Sequence, residues 1–281
     1  MATLSFVKMH GIGNDYVYVD CFTHRVPDPA ALAQRISPRR TAIGSDGLIL
    51  ICPSTVADCR MEMYNADGSR GAMCGNGIRC VGKYVAEHGL STNNPLRVET
   101  DCGIKVLELT RRGDRVVSVS VDMDEPILDG PRIPVAAEGR VIDAPLEVGG
   151  HEYRVTCVSM GNPHCVVFTD DVESLDLERI GPRFEHHPFF PHRVNTEFIR
   201  VDSPTRLRMR VWERGSGETA ACGTGACAAL VAAVLTNRAG RHAVLRLNGG
   251  DLDIEWRASD GHVIMSGPAE EAFRGEIELE G

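Results

Sequence analysis

An internal repeat with a fixed offset constrains the fold of this chain more than any other feature. RMEMYNADGSRGAMCGNG, residues 60–77, aligns without gaps on RMRVWERGSGETAACGTG, residues 208–225. The offset is 148 residues, which also separates Cys74 from Cys222 (222 minus 74). Self-similarity of this kind indicates a duplicated structural unit.

A second pair of segments tests this register. GNDYVYV, residues 13–19, falls on GNPHCVV, residues 161–167, with the same offset, so Asn14 corresponds to Asn162. Because a chance match would not keep its register in separate segments, we infer two halves of similar fold. Approximate two-fold symmetry would then bring equivalent positions together between the halves.

Alternating apolar runs separated by Gly, Asn, Asp and Pro predict strands in both halves. The runs are residues 16–19, 48–51, 60–64, 96–100, 104–109 and 116–121, then 152–158, 165–168, 196–201, 207–212 and 244–247. Helices are predicted just after the repeated cysteines, at Ile78–His88 and Ala226–Arg238. The second is almost entirely Ala, Leu and Val, which predicts burial inside a curled sheet. Residues 122–134 are the predicted hinge.

The repeated cysteines are predicted to sit at helix N-termini. Free N–H groups and the helix dipole there favour an anion, which lowers a thiol pKa and forms a cradle for a carboxylate. The glycines of CGNG and CGTG allow close approach of the backbone to a ligand. Two facing cradles would present one sulfur to each side of a single Cα, so that Cys74 and Cys222 act as base and acid. Plain phosphate-binding turns remain an alternative that leaves the sulfurs idle.

Composition narrows the classes of partner. The 281 residues carry a net charge of −9 with a pI near 5.6, which argues against nucleic acid and membrane surfaces. The first residues lack the pattern of a signal peptide, and residues 220–235 fall short of a membrane span. We therefore expect a soluble, cytoplasmic protein. Its other eight cysteines, without any C-x-x-C pair, are expected to be reduced and structural.

The sequence also argues against a metal or a cofactor. The cluster HHPFFPH, residues 186–192, contains two prolines, which predict an irregular loop, and it has no Cys or acidic partner at ligand spacing. None of the three lysines (Lys8, Lys83 and Lys105) has a setting that suggests a Schiff base. We expect neither metal nor pyridoxal phosphate.

With these motifs in hand, the chain closely resembles the diaminopimelate epimerases. The matching blocks are KMHGIGNDYVYVD, YNADGSRGAMCGNGIRC, MGNPHCVVF, FPHRVNTEF, WERGSGETAACGTGACA and MSGPA. The resemblance implies reversible conversion of LL- to meso-diaminopimelate, for lysine and peptidoglycan precursors, without pyridoxal phosphate or metal. It also implies an α+β fold of two similar pseudo-symmetric domains, each a curled, mostly antiparallel, barrel-like sheet around a central helix. The active site would lie between residues 1–122 with 268–281 and residues 123–267, and the protein would be a homodimer.

The resemblance also assigns roles by position. Cys74 and Cys222 match the catalytic pair, and His164 and Glu213 match residues that tune the two thiols. The positions that match substrate contacts are Asn14, Asn65, Gly75, Asn76, Asn162, Asn195, Glu213, Arg214, Gly223 and Thr224. Gly47, the counterpart of Asn195, departs from family members that carry Gln, so a side-chain contact is in doubt there.

Other functions stay open at this point. A proline or hydroxyproline racemase would share the two-base chemistry but would act on a substrate with one amino-acid end, whereas Arg214 and the asparagines favour a second charged end. A redox sensor could use a disulfide between Cys74 and Cys222. A pure binding module is the third alternative. The sequence does not indicate which thiol is ionised at rest.

Overall fold

Each half of the chain forms a mixed sheet with one buried helix against it. The computed structural model describes residues 2–279. One unit runs to Val121 and resumes at Gly267, and the second unit spans Asp122–Ser266.

Strands outnumber helices along residues 2–279. The strands are β1 (Ala2–Gly11), β2 (Asn14–Asp20), β3 (Gly47–Cys52), β4 (Cys59–Asn65), β5 (Arg70–Gly71), β6 (Leu96–Thr100), β7 (Gly103–Arg112), β8 (Arg115–Asp122), β9 (Ala144–Val148), β10 (His151–Ser159), β11 (Pro163–Phe168), β12 (Asn195–Ser203), β13 (Arg206–Glu213), β14 (Gly217–Glu218), β15 (His242–Arg246), β16 (Asp251–Trp256), β17 (Val263–Gly267) and β18 (Glu270–Leu279). The α-helices are α1 (Pro29–Ile36), α2 (Gly75–Glu87), α3 (Leu177–Glu185) and α4 (Gly223–Leu235).

The two sheets have the same strand order. In the first unit neighbours run β18-β1-β2-β3-β4-β6-β7-β8, and in the second they run β9-β10-β11-β12-β13-β15-β16-β17. Each sheet has two parallel pairs, β2–β3 and β4–β6 in one and β11–β12 and β13–β15 in the other. The remaining pairs are antiparallel, so the predicted α+β class with mostly antiparallel sheets is confirmed.

Each sheet curves around its helix without closing. In the first unit α2 contacts both β1 and β7, which are far apart in the strand order, and in the second α4 contacts both β10 and β16. Among residues 2–279 no pairing joins β18 to β8, the two ends of the first sheet, or β9 to β17, the two ends of the second. The sheets are therefore open, and the expected barrel-like closure is incomplete.

Cysteine caps explain why both helices begin three residues earlier than predicted. Cys74 and Cys222 are the N-caps, and α2 and α4 begin at Gly75 and Gly223. Sequence patterns place helix starts after glycines because glycine is a poor helix former. Here the glycines occupy the first turn, where backbone N–H groups need other partners.

The apolar helix α4 is buried as its composition predicted. Cys227, Leu230 and Val231 have no exposed surface. A fully buried Leu or Val side chain contributes roughly 1.5–3 kcal/mol through removal of apolar surface from water. This packing holds the N-terminus of α4, and with it Cys222, in one place.

Two further helices were absent from the sequence prediction. They are α1 and α3, and Pro29 and Leu177, their first residues, have the same 148-residue offset. Asp28 and Asp176 cap them by accepting backbone hydrogen bonds. None of the helices in residues 2–279 is both long and apolar enough to cross a membrane.

Candidate active site

The Cys74 thiol lies between a helix tip and an asparagine. Gly77 donates its backbone N–H to Cys74 Sγ at 3.3 Å. Asn14, at the start of β2, accepts from the thiol through Oδ1 at 3.3 Å. Asn14 is itself held by Asp46, which accepts from Nδ2 at 2.8 Å. Two of the residues singled out in the sequence, Cys74 and Asn14, are therefore in contact in the first unit.

A charged network supports Asn14. Arg39 reaches Asp46 at 2.7 Å and Asp15 at 2.6 Å, and Lys8 also pairs with Asp15. Burial alone would raise the pKa of Asp15, but the hydrogen bonds and charges of Arg39 and Lys8 outweigh it and lower that pKa. The network fixes the loop that carries Asp46 beside the start of β2.

Asn65 and Asn76 lie in the same unit at two different elements. Asn65 ends β4 and donates through Nδ2 to Ser69 Oγ at 2.9 Å. Asn76 is buried in the first turn of α2, next to Gly75. The sequence predicts that the backbone N–H groups of this turn bind a carboxylate.

Gly47 lies directly opposite Asn65 in the β3–β4 register. A Cβ on Gly47 would lie 2.0 Å from Tyr64 O, a distance that real Cβ atoms do not reach. The backbone here therefore has no room for a side chain. This explains in packing terms why the position carries no side chain.

Cys222 repeats the arrangement in the second unit. Gly225 donates its N–H to Cys222 Sγ at 3.4 Å, and Thr224 Oγ1 lies 3.5 Å from the sulfur. Asn162 donates from Nδ2 to Thr224 Oγ1 at 3.3 Å. The backbone cap is therefore the same in both units, but Asn14 contacts Cys74 directly, whereas Asn162 is linked to Cys222 through Thr224.

Glu213 lies beside Cys222. Its carboxylate accepts from the Thr219 hydroxyl and hydrogen-bonds the Cys222 thiol. Burial raises the pKa of Glu213. Burial also raises the pKa of Cys222, and the negative charges of Glu213 and Glu197 raise it further. These groups favour the protonated thiol at Cys222.

His164 is fully buried between two side chains. Its Nδ1 lies 2.7 Å from Glu197 Oε1, and its Nε2 lies 3.0 Å from Asn162 Oδ1. The sequence singled out His164 but missed Glu197, which also has no exposed surface. The repeat could have drawn attention to Glu197, because its counterpart in the first half is Ile49, so a carboxylate stands where the equivalent residue is apolar.

Asn195 and Arg214 lie at the same end of the antiparallel pair β12–β13. Asn195 donates from Nδ2 to Pro163 O at 3.1 Å and accepts the backbone N–H of Arg214 at 3.0 Å. The Arg214 side chain is exposed and donates to His192 O at 3.1 Å. Asn195 thus anchors the turn from which the Arg214 guanidinium projects.

The other cysteines are free thiols. Cys59, Cys80, Cys157, Cys165 and Cys227 are buried, whereas Cys21, Cys52 and Cys102 retain exposed surface. Burial in apolar surroundings raises the pKa of Cys59 to about 12. A thiol in that setting has little thiolate at neutral pH.

Two groups in residues 2–279 bring three metal-ligating atoms within 4.8 Å of one another. The first comprises His164, Glu197 and Cys222, but both ring nitrogens of the histidine are already hydrogen-bonded. In the second, His262 Nδ1 contacts both oxygens of Asp122, which also pairs with Arg257. In both groups the existing partners compete with a metal ion.

Solved structures share the two-unit fold of this chain. A hydroxyproline epimerase from Agrobacterium vitis has a TM-score of 0.70 at 16% identity, with 99% of this chain and 93% of that chain covered. A PhzF-family phenazine biosynthesis protein from Bacillus anthracis has a TM-score of 0.71 at 15% identity, covering 99% and 100%. At these identities the likeness concerns the fold, and the cysteine-capped helices add a repeated candidate site. The class defined by fold and site is a two-unit α+β protein with one cysteine-capped helix in each unit.

Sequence comparison identifies the family within that class. The diaminopimelate epimerase family model matches residues 6–128 and 156–271. A diaminopimelate epimerase from Acetivibrio thermocellus is 54% identical over 277 residues, which cover 98% of this chain and 99% of that protein. The chain belongs to the diaminopimelate epimerase family.

Proposed function

We propose that this chain interconverts LL- and meso-diaminopimelate by proton transfer between two cysteines and one Cα. The observation that carries the proposal is the identical capping of α2 and α4 by Cys74 and Cys222, 148 residues apart. The identity of 54% to a curated diaminopimelate epimerase supports the choice of substrate.

The chemistry follows from the two caps. The substrate α-carboxylate would bind to the first-turn N–H groups of Gly75-Asn76 and Gly223-Thr224, which also stabilise the negative charge that develops when Cα loses its proton. One cysteine, as thiolate, removes the Cα proton while the other, as thiol, delivers a proton to the opposite face. The product leaves the two cysteines with exchanged protonation states. The reverse reaction restores them.

The distal end of diaminopimelate carries a second carboxylate and amine. We assign its carboxylate to Arg214, whose guanidinium offers two parallel donors. Asn14, Asn65, Asn162, Asn195 and Glu213 supply neutral and negative acceptors for the ammonium groups and further donors for the carboxylates. A substrate with a single amino-acid end would bring no second carboxylate for the Arg214 guanidinium.

Arg214→Lys tests this assignment. The lysine keeps the charge but loses the paired donors, so we expect kcat/KM for diaminopimelate to fall about 100-fold, the usual order for a lost charge-assisted pair of hydrogen bonds. Steady-state kinetics with the purified full-length chain provides the measurement. Arg179→Lys, an exposed arginine of the same unit, serves as the control and should match the unchanged protein. Intact kcat/KM in Arg214→Lys would rule out the bidentate role.

Solvent isotope labelling tests the two-base reaction itself. The protein is incubated in D2O with LL- or with meso-diaminopimelate, and deuterium at Cα is followed at low conversion. Two cysteines on opposite faces should place label mainly in the inverted product from both starting materials. Equal labelling of recovered substrate would indicate a single shuttling base. Absence of any exchange with diaminopimelate, together with turnover of proline or hydroxyproline, would instead favour the rival racemase.

Location and assembly complete the proposal. A net charge of −9, reduced cysteines and a small-molecule substrate support a cytoplasmic enzyme. The proposed proton transfer between two cysteines uses neither metal nor pyridoxal phosphate. We also propose a homodimer. Light scattering of the purified chain distinguishes one copy from two.

A further inference from the structure

A buried carboxylate distinguishes the two cysteine sites. Glu197 in β12 has no exposed surface, and its counterpart in β3, Ile49, is apolar. A Cβ on Gly225, in the first turn of α4, would lie 2.6 Å from Glu197 Oε1, and one on Gly77 would lie 2.7 Å from Ile49 Cδ1. The two side chains thus fill the same space below their respective caps. Burying a charge there is costly, which indicates that the carboxylate has a use.

Hydrogen bonds connect Glu197 to the Cys222 site. Glu197 Oε1 lies 2.7 Å from His164 Nδ1, and His164 Nε2 lies 3.0 Å from the Asn162 amide. Asn162 in turn contacts Thr224, whose hydroxyl lies 3.5 Å from Cys222 Sγ. With Asn162 Oδ1 facing the ring, His164 donates at both nitrogens as imidazolium. With the amide reversed the ring is neutral, and Nδ1 still donates to the Glu197 carboxylate.

The Cys222 sulfur also lies close to the pair itself. One atom each of Cys222, His164 and Glu197 fall within 4.8 Å of one another. The titratable groups that face this sulfur are His164 from β11, Glu197 from β12 and Glu213 from β13. The buried residues of β10, β15 and β16, which also contact α4, are uncharged.

We propose that Glu197 is a positioning residue for Cys222: it fixes the ring of His164 and keeps Cys222 in its thiol form before substrate binds. This inference rests on the proposed two-cysteine function. The first unit has Tyr16 and Ile49 at the positions of His164 and Glu197. The two sites therefore share a backbone design but differ in the ionisable side chains beside the sulfur.

Glu197→Gln tests the proposal, because it keeps the shape of the side chain and removes the charge. Iodoacetamide modification of Cys222, mapped by mass spectrometry across pH without substrate, reports its ionisation. We expect the modification midpoint to fall by about one pH unit, so that the rate at pH 7.5 rises about tenfold. An unchanged or higher midpoint would overturn the proposal. Because no substrate is present, this readout is independent of whether diaminopimelate is turned over.

Glu185→Gln is the matched control. Glu185 is also a buried carboxylate of the second unit, but it bonds Trp212 and the Gly215 backbone instead of His164. Glu185→Gln changes the net charge by the same amount as Glu197→Gln, but the pH midpoint of Cys222 modification should not change. A similar fall of this midpoint in both variants would mean that partial unfolding exposes Cys222. That result would contradict a specific role for Glu197.

A measurement on the unchanged protein covers the case in which Glu197→Gln does not fold. Nitrogen-15 NMR of the His164 ring should show Nδ1 protonated at neutral pH, because it donates to Glu197. A bare Nδ1 would overturn the proposal. In folded Glu197→Gln, diaminopimelate turnover should show kcat reduced about tenfold and KM changed less than about twofold. This split is expected because Glu197 acts through His164 and Cys222 and does not bind the substrate itself. Loss of substrate binding instead would assign Glu197 to recognition.

Discussion

Cys222→Ser is expected to slow epimerisation by about 1,000-fold or more while proton exchange continues on one stereoisomer. Serine can still cap α4, but its hydroxyl is a far weaker acid than a thiol, so the proton on that face is no longer supplied. Cys74 remains able to remove and return the proton that faces it. The measurement compares inversion with deuterium uptake for each stereoisomer.

The reciprocal variant and a control complete this test. Cys74→Ser should lose inversion to the same degree and keep exchange only on the opposite stereoisomer. Cys102→Ser, which alters an exposed thiol, should behave as the unchanged chain. If Cys222→Ser inverted its substrate at a rate near normal, the two-base reaction would have to be abandoned.

Gly181→Ala is expected to cause a large loss of stability. A Cβ at this position of α3 would lie 2.2 Å from Trp212 Cδ2 and 2.4 Å from Cγ. Trp212 is 7% exposed and its Nε1 donates to Glu185 at 2.8 Å, so the ring is not free to move aside. We expect the free energy of unfolding to fall by about 3 kcal/mol, at the upper end for overpacking, and the melting temperature by roughly 6–12 °C.

Gly240→Ala is the matched control in the same unit. The nearest atom to a Cβ there is Pro204 O at 4.0 Å, so the free energy of unfolding should change by less than about 0.5 kcal/mol. Urea unfolding followed by circular dichroism measures both variants. Equal stability of Gly181→Ala and the unchanged chain would mean that α3 does not pack on Trp212 as described. Glu185 accepts from both Trp212 Nε1 and the Gly215 N–H, so displacement of Trp212 by Gly181→Ala should also disturb the turn that carries Arg214.

The repeat predicted the most informative part of the fold. One offset placed Cys74 and Cys222 at the start of equivalent helices, and both are N-caps of 13-residue helices. The same offset would have located α1 and α3, yet each is short, and α3 contains Pro182, which breaks a helical pattern. Periodicity therefore gave too little signal for these two helices.

Glu197 was missed for a physical reason. In β12 the residues from Asn195 to Ile199 are all buried, because the strand is covered on both faces. Buried and exposed positions therefore do not alternate in this part of β12. Prediction from sequence assumes that they alternate, and it places a charged residue such as Glu197 on the exposed face. Only its contact with His164, made through folding, shows that the carboxylate points inward.

The path of the chain also has a consequence for synthesis at the ribosome. β1 pairs along its length with β18, which is translated after the whole of Asp122–Ser266. The later-encoded unit is continuous in sequence and can finish folding first, whereas the earlier one waits with an uncovered strand edge. A nascent chain stalled before Glu270 should therefore expose β1 to chaperones or to pairing with other chains.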